Sequence, residues 1–195
     1  MPIAIPNGTS LNPQAPEAPP EQHELDLRHH PQEGKLWCWA ACIHMVLDLF
    51  DLEGDLTSQC AIVKKMLQDK DPGHVCPPDF PSRNESCDVM VMAKSWRDCG
   101  IRQVIPKDGA MKIEDIKAEI AEGRPVEVGI LWKAGGGHAV LIRGWSATSP
   151  ETLLIADPLR DSPIASVVPA GLATHDELFA AFGHGLWRYT WSRLH

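Results

Sequence analysis

From Leu36 to about Phe50 apolar residues recur at helical spacing, with Ile43, Val46, Leu47 and Phe50 in phase, which predicts a helix buried along much of its length. Thr57 or Ser58 can cap a second helix reaching about Gln68, with Cys60, Ile62 or Val63, Met66 and Leu67 turned inward. Prolines 72, 77, 78 and 81 make Asp71 to Asn84 a surface loop. A third helix is expected from Ser86 to Cys99, closed by Gly100, and a fourth from Ile113 to Glu122, closed by Gly123. Beyond Pro125 the period shortens. Val126–Trp132, His138–Trp145, Thr152–Ala156, Ile164–Val168 and Trp187–Trp191 read as strands, with a turn at Gly135–Gly137 and a short helix over Thr174–Phe182. Helices fill residues 32–123 and strands dominate residues 124–195, which is the α+β class.

Residues 1–31 follow neither period. They hold seven of the seventeen prolines and cannot bury enough surface to offset their ordering entropy, so a disordered or strap-like arm is expected ahead of one folded unit at 32–195. His29 and His30 fall in that arm and are assigned no catalytic part.

Composition narrows the class. A chain of 195 residues with 44% hydrophobic content can bury one substantial core. A net charge of -8 with no concentrated basic face argues against nucleic acid as a partner. Neither a membrane-length apolar run nor a Sec-type leader is present, which suggests a protein that stays in the cytoplasm or leaves by a specialised secretion system into a target cell. The six cysteines (38, 42, 60, 76, 87, 99) form no regular framework. Reduced thiols and an intracellular site of action are expected, with a Cys76–Cys87 bridge as the exception; a zinc site from His74, Cys76, Cys87 and Cys99 matches no standard ligand spacing.

The chemistry centres on Cys38, between Trp37 and Trp39 at the start of the first helix. Unpaired backbone N–H groups and the positive end of the helix dipole favour an anion there, the form in which sulfur is a nucleophile. Gln32, six residues upstream and before the turn at Gly34, could bring its amide beside the sulfur and, with the Cys38 N–H, supply two donors to an oxyanion. Cys42, one turn on, reads as packing. His44 lies about 240° around the helix from Cys38 and cannot face it, so a base must come from elsewhere. His138 follows three glycines and opens an apolar strand; Asp157 ends the next strand, held by Pro158, where it could orient the imidazole. His74, His175, His184 and His195 compete with His138, and Asp161 and Asp176 with Asp157, but none has that setting.

A Gln six residues before a Cys-Trp-Ala-Ala helix start, then Gly-Gly-His-strand and strand-Asp-Pro, resembles the papain-like cysteine peptidases, above all the compact bacterial branch of the AvrRpt2-type effectors and C39-like peptidases. The resemblance covers roughly residues 32 to 191 and is specific at Gln32, Cys38, His138 and Asp157. It implies a two-lobed fold with a helical N-terminal lobe and an antiparallel β-sheet C-terminal lobe. It also implies a cysteine endopeptidase with a Cys-His-Asp triad and a Gln oxyanion hole, and no metal or organic cofactor. Plant papains carry Asn in the place of Asp157 and a different block around the Cys, so their subsite preferences are not carried over. Trp39, Gly136, Gly137 and Trp145 are candidates to line the substrate cleft.

Two rivals share these residues: an acyl-transfer or deamidating enzyme on the same triad, and an inactive papain-like binding module. Partners expected are a protein substrate, with no nucleic acid and no membrane, and a cognate inhibitor or immunity protein. The protein is expected to be a monomer, and an effector or toxin-type protease acting on few targets.

Overall fold

The computed structural model describes residues 22–67, 89–147, 151–159 and 172–195. In chain order the elements are β1 (Gln22–Glu24), α1 (Cys38–Leu49), α2 (Gln59–Leu67), α3 (Val89–Asp98), β2 (Ile105–Asp108), α4 (Ile113–Ala121), β3 (Val126–Trp132), β4 (Gly137–Ser146), β5 (Thr152–Ala156), β6 (Leu172–Ala173), α5 (His175–Phe179), a 3-10 turn (Ala181–Gly183) and β7 (Gly185–Ser192). The strands form one antiparallel sheet in the order β2-β7-β3-β4-β5-β6. The architecture is α+β, consistent with a papain-like or C39-like fold.

Local chemistry sets most boundaries. Ser58 Oγ accepts from the Ala61 N–H and caps α2. Thr174 caps α5 in a reciprocal pair with Glu177. Nine consecutive residues of α1, Trp39 to Leu47, are buried, so the helix lies inside the molecule between α2 and β4 instead of presenting one amphipathic face.

The larger departure from the sequence reading is at the start. From residue 22 the segment expected to be a disordered or strap-like arm is a seated strap: β1 pairs with Gly144–Ser146 of β4, continuing the edge where β3 ends at its pairing with Ile142. Leu25 and Leu27 enter the core. The Gln59 side chain, almost fully buried, ties the following residues to α2 by donating to the Pro31 carbonyl and accepting from the Glu33 N–H. His30 bonds Asp48 at 2.8 Å and stacks on His44. Alternating apolar positions are too few here for a periodicity signal; backbone pairing and two leucines suffice.

The short strand β2 also departs from an all-helical first lobe. It is exposed and contains Pro106, features of an edge strand that hydropathy does not register. The helix expected over 174–182 is split, ending at Phe179 before the 3-10 turn. The thiols are not all reduced: Cys60 is disulfide-bonded to a partner outside the described residues, while Cys38, Cys42 and Cys99 remain thiols. Pairing depends on proximity in space, which spacing along the chain does not give. The arm over residues 1–21, the loop at 71–84, the first residues of the helix expected from Ser86, the strand at 164–168, the Cys76–Cys87 bridge and the zinc ligands His74, Cys76 and Cys87 all lie outside the described residues. Among the described residues no helix is long and apolar enough to cross a membrane.

β1 approaches β4 closely at Gly144, where an added Cβ would stand 2.6 Å from the His23 carbonyl oxygen and 2.9 Å from Glu24 Cα. These are backbone atoms, so the strap itself would have to lift. Gly144→Ala should therefore destabilise the protein by about 1–3 kcal/mol, read as a lower urea midpoint with an unchanged slope; an unaltered midpoint would mean that the strap is not seated as described.

Candidate active site

Cys38 is the first residue of α1. A turn closed by Trp37 N–H to the Gly34 carbonyl leads into it, and the first bond of the helical ladder runs from Ala41 N–H to the Trp37 carbonyl. Trp37 is fully buried and supplies no side-chain cap. The Cys38 N–H thus belongs to the helix-start donors that the ladder does not use, and the sulfur sits at the positive end of the dipole.

The second lobe brings His138 to that helix mouth. The hairpin between β3 and β4 turns through Gly135 (φ 92°) and Gly136 (φ 79°), backbone that side chains rarely adopt. At Gly137 a Cβ would stand 2.9 Å from the Ile130 carbonyl. His138 follows, paired with Ile130 and buried. Its Nε2–H donates to Asp157 Oδ1 at 2.7 Å, which leaves Nδ1 for the Cys38 sulfur, to which the ring is also hydrogen-bonded. Trp132 from the other arm of the hairpin lies over the imidazole, with ring centres 6.0 Å apart and planes 19° from parallel.

Asp157 follows the last residue of β5, and its Oδ1 also accepts from the Leu159 N–H at 2.9 Å. The strap fixes this turn from behind: the His29 Nε2–H donates to the Asp157 carbonyl and the Gln32 N–H to the Pro158 carbonyl, at 2.8 and 2.9 Å. His29, assigned no part from sequence, therefore holds the segment that carries the carboxylate.

Burial alone would push the His138 imidazole down. The hydrogen bonds with Asp157 and Cys38, and the negative charges of both, outweigh it and lift the imidazole to about 9. It is therefore a cation at neutral pH, paired with acidic groups on both nitrogens. The Cys42 thiol is pushed well up, first by burial and then by the charges of Glu127, Cys38 and Asp157, and stays neutral.

Cys38 and His138 open onto one cavity of about 580 Å³, whose walls include Gln32, Trp39, Gly136, Gly137 and the exposed leucines Leu36, Leu131 and Leu159. Trp145 does not line it and is removed from the cleft set. Seven residues beyond His138 on a strand that rises about 3.3 Å per residue, it pairs with His23 and Leu153 and carries Lys117 over its ring. Gln32 is at the cavity, but its amide NH2 donates to the Gly34 and Lys35 carbonyls at 2.9 and 2.8 Å, and its Oε1 is buried without a partner.

The competing groups are elsewhere. His175 bonds the Met111 carbonyl and packs on Trp187, Asp176 is fully exposed, and His74 and Asp161 are outside the described residues. The sequence reads Trp132 only as the end of a strand and gives Glu127 no role of its own. Trp132 was within reach of the reading, since folding the hairpin about Gly135–Gly137 sets it against His138; Glu127 had no local signal.

Because a carboxylate raises its imidazole neighbour, Asp157→Asn should lower the His138 titration from about 9 by roughly one unit or more, followed through the ring C–H resonances by NMR. An unchanged midpoint would remove Asp157 from the pair.

Residues 22–175 match the model of the Peptidase_C39 like family. A comparison with curated proteins finds no match. The family match starts at β1 and ends in α5, taking in the strap, the helix mouth, the glycine hairpin and the acidic turn. On that match the chain belongs to the Peptidase_C39 like family of cysteine peptidases.

Proposed function

We propose that the protein is a cysteine endopeptidase in which Cys38 is the nucleophile, His138 the proton carrier and Asp157 its orienter. The observation that carries the reading is the 2.7 Å bond from His138 Nε2 to Asp157, with the other face of the imidazole turned to a thiol at a helix start. In this reading the Cys38 sulfur adds to a peptide carbonyl and the electron pair moves to the oxygen. His138 then gives its proton to the departing amine, leaving an acyl-enzyme. Water, deprotonated by the now neutral imidazole, attacks that thioester; the acid product leaves and the thiolate–imidazolium pair is restored. Asp157 keeps the ring in the tautomer and orientation that both transfers need.

The Cys38 N–H is one donor for the oxyanion, and Gln32 is proposed as the other. Both Gln32 amide protons lie on turn carbonyls, so the role requires the oxyanion to draw one of them away on binding. Trp132 shields the His138–Asp157 bond from water, which strengthens it. The largely apolar cavity wall, which also includes Lys35, suits an extended peptide with apolar side chains.

The proposed role is that of an effector or toxin-type protease acting outside the cell that makes it. The cystine at Cys60 supports action in an oxidising compartment, where such bonds persist.

Incubating a candidate target lysate with wild type and with Cys38→Ala, followed by N-terminal proteomics, should give new chain termini with the wild type alone; no new termini would sink the peptidase reading. Gln32→Ala should lower kcat by roughly 10²-fold on any peptide so found, measured under saturating substrate, whereas an unchanged kcat would leave the oxyanion to backbone donors.

A further inference from the structure

Glu127 is fully buried, yet nothing in the proposed chemistry uses it. It stands in β3 between two buried apolar cross-strand partners, Leu141 of β4 and Trp191 of β7. Its Oε2 accepts a 2.7 Å hydrogen bond from the Trp96 indole Nε1–H, and its Oε1 has no partner. Trp96 is itself fully buried, in α3. The bond therefore joins the helical lobe to the sheet lobe inside the core.

Packing does not explain a carboxyl here. A glutamine would accept the same indole proton without placing an ionisable group in an apolar interior. What Glu127 adds is a proton that it can lose. From α1, Cys38 and Cys42 are the titratable groups within electrostatic reach; α3 presents the neutral indole, and β4 and β7 the apolar pair. Burial raises the Glu127 carboxyl most, the Trp96 bond holds it back, and the Cys38 charge adds to the rise. The outcome is about 8, so the group is neutral at pH 7 and ionises on the alkaline side.

We infer that Glu127 is a positioning residue for Cys38: through Trp96 it ties the two lobes, it has Cys38 and Cys42 as electrostatic neighbours, and its ionisation closes the active pH range from above. A second negative charge near the sulfur disfavours the anionic tetrahedral intermediate, so activity falls as the proton leaves for solvent. The inference rests on the peptidase reading for its consequence, though not for the coupling between the two groups, which is reciprocal.

Two measurements separate these. The first needs no substrate: the Trp96 indole N–H resonance, followed by 15N NMR in the intact protein, should titrate with a midpoint near 8. That midpoint should fall by about half a unit or more in Cys38→Ala, and the titration should vanish in Glu127→Gln. The second is kcat/KM against pH on a cleaved peptide. Its alkaline limb should lie near 8 in the wild type and move towards the His138 value of about 9 in Glu127→Gln. A flat indole resonance, or a midpoint indifferent to Cys38→Ala, overturns the inference. So do superimposable activity profiles of the wild type and Glu127→Gln. Because Cys38→Ala leaves Glu127 in place, the first arm holds even if Glu127→Gln folds poorly. A wild type that cleaves nothing overturns the peptidase reading alone, with the indole titration still deciding the coupling.

Discussion

Everything at the site depends on how α1 is enclosed. With nine residues in succession buried, the helix has one depth and one rotation available to it, and its first turn must emerge where the sheet offers a gap. That gap is the start of β4, beyond the glycine hairpin. The hydrophobic effect is non-directional, but a helix walled by α2 on one side and β4 on another converts it into a positional constraint on a sulfur atom. The polar contacts around Cys38 refine a location that apolar packing has already chosen.

The polar groups then divide between those that face the cleft and those that hold them. Asp157 Oδ1 meets both His138 and the Leu159 N–H, while His29 holds its backbone carbonyl. Gln32 contributes its backbone N–H to the Pro158 turn while its side chain reaches the cavity. The strap therefore closes a ring of hydrogen bonds running from the acidic turn, through the segment before α1, to the helix mouth.

How much of this could be read from the chain depended on whether a signal was local. Cys38 at a helix start, the Gly135–Gly137 turn ahead of His138, and Asp157 closing an apolar run each carry their meaning within a few residues, and strands β3 and β5 fall where their apolar runs do. The strap's pairing with β4 is not legible because backbone pairing needs no hydrophobic period, nor is β2, because an exposed edge strand with a proline looks like a loop. Trp145 lies off the cleft because a strand carries each successive residue further from His138. The Trp96–Glu127 bond spans 31 residues and two lobes; no pattern along the chain announces it. The cystine at Cys60 escaped for the same reason.

The order of synthesis gives the split site one more property. Cys38 precedes His138 by 100 residues and Asp157 by 119, and β4 must exist before the strap has an edge to join. A nascent chain that has extruded α1 therefore displays Cys38 without His138 or Asp157. The cluster of Cys38, His138 and Asp157 is thus incomplete until both β4 and β5 have been made.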